Sequence, residues 1–269
     1  MLKQRIITGV ILALLVSFAI FFLPNALFDQ LALLIIVGIG TWEWAGLTGF
    51  KETQNRALAV AANIVLAELV FFIQPPMSLI LLVSIAVWGL ILYLLRSYQP
   101  ETSYYKQRPW LLRALSIFVL IPAWYALTYL HSLHYGYVFY VISLVAAADI
   151  AAYFSGKRFG KNKLAPSLSP GKTREGALGA LAASFIWACI CALFTDLSFG
   201  GGLVFVLFSM LAVVMSIAGD LFESLIKRQV GAKDSGTILP GHGGILDRID
   251  SLLAAIPVLT LGLFILSKF

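Results

Sequence analysis

The chain has 269 residues, 60% of them hydrophobic and 12% charged. A soluble domain carries about 25% charged residues, so a soluble globular enzyme is excluded, and no room is left for a separate water-soluble domain. The net charge of +6 would suit nucleic acid in a soluble chain, but its placement here points to a bilayer instead.

Nine apolar segments follow one another: 6–23, 27–47, 57–74, 77–95, 112–131, 136–154, 176–195, 202–223 and 249–267. Each is long enough to cross a hydrocarbon core about 30 Å thick as a helix. Helix is the expected form because lipid offers backbone groups no partners. The first segment follows Lys3 and Arg5 as a signal peptide would, but it is long for one and lacks a small-residue cleavage site, so it reads as an uncleaved span. Pro24-Asn25, Pro75-Pro76 and Gly200-Gly201-Gly202 mark turns between segments. Cys189 and Cys191 lie inside an apolar run and read as small buried hydrophobes, not as a disulfide or a metal site.

Placing the N-terminus in the cytoplasm puts every basic residue except Lys268 on the cytoplasmic side, from Lys3 and Arg5 through Lys51, Arg56 and Lys106 to Arg248. This is the positive-inside pattern, and one missed or invented span would scramble it. The expected fold is therefore all-α: a polytopic integral membrane protein of about nine transmembrane helices with a cytoplasmic N-terminus. The basic excess is explained by topology and anionic head groups; nucleic acid is not an expected partner. Residues 1–135 form five N-terminal spans. Residues 136–269 form four spans and carry the chemistry.

Two cytoplasmic loops of that second part are long, rich in Gly and Pro and dense in charge: 155–175 and 227–248. Long loops on a rigid scaffold tend to hold function. Asp149, Asp220, Glu223, Asp247 and Asp250 all lie near the cytoplasmic ends of their spans. Acids at membrane depth usually face a cavity or a partner, and hard oxygen ligands beside water and phosphate suit Mg²⁺. Asp220, Glu223, Ser224 and Lys227 share one helical face. Lys227, Arg228 and Lys233 suit phosphate oxygens, and Pro240-Gly241-His242-Gly243-Gly244 would let backbone N–H groups approach them.

Each of these has a plainer reading. Asp247 and Asp250 also fit a helix cap with an acid at its third position. Asp220 and Glu223 also fit simple pairing with Lys227 and Arg228. His131 and His134 flank an outer loop and read as non-functional; His242 stays open. Glu43 and Glu68 are single intramembrane acids, open to packing, interface or ion-path roles. Gly171-Lys172-Thr173 is not a P-loop, because Pro166 stands where its first Gly belongs and no strand is expected before it. A phosphate role for Lys172 and Thr173 survives that exclusion.

Ser224-Leu-Ile-Lys227-Arg228, Lys233-Asp234, Leu239-Pro240, His242-Gly243-Gly244 and Asp247-Arg248-Ile-Asp250 together resemble the signature of the phosphatidate cytidylyltransferases. Upstream, Asp149, Ala152-Tyr153-Phe154, Gly156, Phe159-Gly160-Lys161, Ser169-Pro170, Lys172-Thr173 and Glu175-Gly176 are similar to the same family, as is Trp42-Glu43-Trp44 more weakly. Ser235 departs from relatives that often carry a charged residue there. The resemblance implies transfer of the cytidylyl group of CTP to phosphatidic acid, giving CDP-diacylglycerol and pyrophosphate. It implies dependence on Mg²⁺, a second monovalent cation such as K⁺ in some members, and a homodimer in some. The expected catalytic residues are Asp220, Lys227, Arg228, Asp234, His242, Asp247 and Arg248. Ser169, Lys172, Thr173, Ser224 and Lys233 are expected to bind substrate. Asp220 and Asp247 are expected to hold metal, with Asp250 and Asp149 in support. The expected location is the bacterial inner (plasma) membrane, with the active site at the cytoplasmic face. A CDP-alcohol phosphotransferase and an ion-coupled transporter are the competing readings. The first lacks its longer Asp pattern here, and the second lacks an internal repeat.

Overall fold

The structure, a computed structural model, describes residues 2–99, 108–239 and 241–268, with side chains from residue 7 onward. Lys106 and Pro240, and the side chains of Lys3 and Arg5, lie outside the described residues. Nine helices are seen among them: α1 (Leu2–Phe22), α2 (Asn25–Leu47), α3 (Thr53–Ile73), α4 (Met77–Arg96), α5 (Pro109–Leu133), α6 (Tyr135–Phe159), α7 (Arg174–Ala192), α8 (Phe199–Gln229) and α9 (Leu246–Leu266). α2 to α9 are each long and apolar enough to cross a membrane. The described apolar part of α1, Ile7–Phe22, is shorter. Eight of the nine expected spans are thus helices long and apolar enough to cross a membrane, and the ninth, α1, is a helix whose described apolar part is shorter.

Capping explains several helix starts. His134 accepts from the Gly136 N–H before α6, Thr173 from Gly176 before α7 and Ser198 from Gly201 before α8, each satisfying an orphan donor. Pro109 sits at the start of α5, where its missing N–H costs nothing. Outward faces are apolar: Phe72, Phe194 and Phe199 are almost fully exposed, as suits a lipid-facing surface.

The main buried cluster runs from Ile20 to Leu263, so residues 1–135 and 136–269 share one core. Its middle contains Phe222 of α8, wedged edge-on against Trp44 of α2 (5.8 Å) and Trp88 of α4 (6.1 Å). Trp44 also donates its indole N–H to the Leu112 carbonyl at 2.8 Å. α2 is thereby fixed against α8 and α5.

Three features were not expected from hydropathy. α2 widens into a π-helix over Leu33–Ile39. α8 runs past its apolar stretch to Gln229, carrying the charged face with it. The loop after α6 folds into an antiparallel hairpin, β1 (Lys163–Ala165) with β2 (Ser169–Thr173), pairing Lys163 with Thr173 and Ala165 with Ser169. The all-α expectation holds apart from this hairpin.

α8 and α9 pack closely at Gly219. A Cβ there would collide with the Asp250 carbonyl oxygen and press on Ala254. Gly219 therefore sets the distance between the helices that carry Asp220 and Asp250. Gly219→Ala should lower stability by about 1–3 kcal/mol, the usual cost of overpacking, measured as a fall in unfolding temperature in detergent.

Candidate active site

The charged end of α8 and the start of α9 form a buried ionic chain. Lys227 bridges Glu223 on its own helix and Asp247 on α9, the latter at 2.7 Å. Both carboxylates are almost wholly shielded, with side chains 4% and 6% exposed. In so dry a setting neither charge is tolerable unpaired. The i, i+4 spacing on α8 aims Glu223 and Lys227 at each other.

Asp247 is also anchored behind. Its Oδ2 accepts from the Ser235 N–H (2.8 Å), the Ser235 hydroxyl (2.9 Å) and the Gly244 N–H (2.9 Å). Four donors thus surround this one carboxylate, close to its full accepting capacity. Ser235 in turn lies 2.8 Å from Glu43 of α2. Gly243 takes a left-handed φ of 82° and Gly241 one of 78°, a backbone shape that side chains resist. They fold the loop back so that Leu239 pairs with Gly243.

The hairpin is tied to the same end of the bundle. Lys172 reaches Asp220 of α8 at 2.5 Å, and Arg228 donates to the Leu168 carbonyl at 3.3 Å. Glu175 accepts from the Lys161 and Asn162 N–H groups and from the Asn162 side chain. Sequence reading placed Glu175 in the family pattern without a role; the structure makes it the clamp at the hairpin's base.

Two cavities open beside these elements. The first holds about 440 Å³ and is lined by Asp149, Asp220, Glu223, Lys227, Asp234, Asp247, Arg248 and Asp250. The second, about 570 Å³, lies between α6, α7 and the hairpin. Its wall is largely apolar, with Ala152, Tyr153, Ala177, Ala180 and Ile217, and ends in Ser169, Lys172 and Thr173. Asp149, Asp220 and Ser251 belong to both cavities. The expected substrate residues on the hairpin therefore meet the expected metal residues at one boundary.

The other expected residues stand outside the two cavity walls. Ser224 is buried and only reaches Asp220 at 3.5 Å. Arg228 holds the hairpin turn, and Lys233 is exposed on its loop. His242 lies beside Gly9 of α1, and its carbonyl accepts from Arg248 at 2.9 Å. Ser235 and Glu223, by contrast, prove central to the charge network, although neither was expected to act on substrate.

The walls of the first cavity carry six carboxylates against two basic side chains. So much negative charge on one wall favours a cation. Among the described residues no three Asp, Glu, His or Cys side chains converge as a ready ligand set. Mg²⁺ does not need one: it takes one or two carboxylates and completes its shell with water and substrate phosphate. The donor set fits that ion.

The profile of the Cytidylyltransferase family matches residues 3–266. The chain belongs to that family. Among its relatives is the phosphatidate cytidylyltransferase of Pseudomonas aeruginosa, 44% identical over 96% of this chain and 95% of that protein. The enzyme of the same name from Haemophilus influenzae is 36% identical over 96% of each chain. That from Helicobacter pylori is 35% identical over 93% of this chain and 88% of its own. The cytidylyltransferase match covers both halves, so neither the phosphotransferase nor the transporter reading keeps a segment of its own.

Lys227→Met would leave Glu223 and Asp247 buried without their counter-charge, and should cost roughly 3–5 kcal/mol of stability. Adding Glu223→Gln should recover part of that loss. Chemical unfolding of wild type and both variants in micelles measures both effects.

Proposed function

We propose that this cytidylyltransferase joins CTP to phosphatidic acid at the cytoplasmic face of a bacterial inner membrane, giving CDP-diacylglycerol and pyrophosphate. One observation carries the reading. A polar, acid-lined cavity and an apolar cavity share a wall at Asp149 and Asp220. The reaction needs such a junction, because one substrate is a soluble polyanion and the other a lipid.

The triphosphate takes the polar cavity, where Lys227 and Arg248 face it. The acyl chains follow the apolar wall between α6 and α7, and Ser169, Lys172 and Thr173 receive the lipid phosphate. A phosphate oxygen of phosphatidic acid attacks the α-phosphorus of CTP. The bond from that phosphorus to the bridging oxygen breaks, and pyrophosphate leaves with the electron pair. The nucleophile is already anionic near neutral pH, so no strong general base is required. The protein's task is to align two anions and meet the charge growing on the leaving group, work done by fixed cationic groups.

Asp220 is the first choice of ligand for Mg²⁺, with Asp149 and Asp250 beside it. Asp247, whose Oδ1 already accepts from Lys227 and whose Oδ2 faces three donors, would join them in support. Held by these carboxylates, Mg²⁺ would supply phosphate charge neutralisation and Lewis-acid polarisation of the phosphoryl group. Lys172, now paired with Asp220, is then free for a phosphate. K⁺ is kept as a second cation to be tried, and a homodimer as the assembly to be weighed.

Formation of CDP-diacylglycerol from labelled CTP and phosphatidic acid by purified protein in mixed micelles is the test. Product should require Mg²⁺ and vanish with a chelator. Asp220→Asn should lose at least about 100-fold in kcat while remaining folded. Unimpaired turnover by that variant would overturn the role of Asp220. Absence of product from folded wild-type protein, with divalent ions and K⁺ supplied, would overturn the reaction.

A further inference from the structure

We infer that Glu43, far from the signature in sequence, is the positioning residue of the catalytic loop and sets the placement of Lys227 through Ser235 and Asp247. The kinetic part of this inference rests on the function proposed above; its structural part does not.

Glu43 is 3% exposed, at the inner side of α2. Its carboxylate accepts from the Leu246 N–H (2.8 Å) and the Ile245 N–H (3.1 Å), and the Ser235 hydroxyl lies 2.8 Å from it. α9 begins at Leu246, and its own N-cap residue, Ile245, supplies no side-chain acceptor. A helix that starts inside a protein must place its first N–H groups on something. Here an acid from a helix about 200 residues earlier takes two of them.

The loop is shaped around this carboxylate. Gly236 and Gly244 both face it so closely that a Cβ on either would strike Glu43. The π-helical stretch Leu33–Ile39 ends four residues before it. A π turn holds an extra residue, so every side chain beyond it is rotated by roughly 100° from its place on an unbroken α-helix. That rotation accounts for an acid of α2 facing α9 and not lipid.

From Glu43 a continuous chain leads into the cavity. The Ser235 hydroxyl lies within hydrogen-bond distance of both Glu43 and Asp247. It has a single proton to give, so the two carboxylates are coupled through it. Asp247 holds Lys227, which lines the polar cavity. A mere helix cap would need only the two backbone bonds. The link through Ser235 makes Glu43 a control on where the ammonium stands.

The test uses purified full-length wild type, Glu43→Gln, Ser235→Ala and, as a control acid, Glu68→Gln. Backbone amide exchange and steady-state kinetics with CTP varied are measured on each. In Glu43→Gln, exchange at Ile245 and Leu246 should rise by about tenfold or more while the later turns of α9 stay protected, and kcat should fall by about tenfold with the KM for CTP little changed. Ser235→Ala, which keeps both backbone bonds, should leave those two amides protected yet lower kcat by about threefold or more. Unchanged exchange in Glu43→Gln overturns the inference. So does exchange raised along the whole of α9, which would mean plain unfolding. Full kcat in Ser235→Ala, or an equal loss in Glu68→Gln, overturns it as well. If wild type itself makes no product, the proposed reaction fails, and the exchange arm still decides the placement of Glu43.

Discussion

A single ammonium group held between two buried carboxylates is the constraint on which this structure turns. Lys227 pairs with Glu223 and Asp247 in a setting too dry to tolerate either acid alone. That need draws the start of α9 onto the charged end of α8. The close crossing at Gly219 then brings Asp250 up beside Asp220. The polar cavity exists because the two helices meet with their charged ends together. The loop of glycines around His242 is what lets the chain travel from one end to the other in so little space.

The apolar architecture was plain in the sequence because span length is a local property. All nine expected segments coincide with helices, to within a few residues for most ends. The two larger misses have separate causes. Hydropathy follows lipid contact, so it lost α8 where Asp220 to Lys227 turn polar, although the helix continues to Gln229. The hairpin was missed because Ser169-Pro-Gly-Lys-Thr173 has poor strand propensity. It is held from outside, by Glu175, Asp220 and Arg228.

The site was legible where its logic lay in side chains close together in sequence. The shared face of Asp220, Glu223, Ser224 and Lys227 follows from helical periodicity, and so does the pairing of Glu223 with Lys227. Periodicity did not separate them by burial: Asp220 opens on both cavities while Glu223 is enclosed. Glu43 was visible only as a lone intramembrane acid within the weakly family-like Trp42-Glu43-Trp44. Its partners are mainly backbone N–H groups, which no residue type marks, and the π turn that aims it has no signature in the sequence.

The distance along the chain between Glu43 and its partners has a consequence for biogenesis. At about 5–20 residues per second, roughly 10–40 s pass between synthesis of α2 and arrival of the α9 backbone that receives its acid. Throughout that interval a carboxylate sits in a helix already delivered to the membrane without its final donors. α2 must therefore wait at a shallower depth or against a borrowed partner. Its settling to final depth becomes one of the last events of assembly, long after its own insertion.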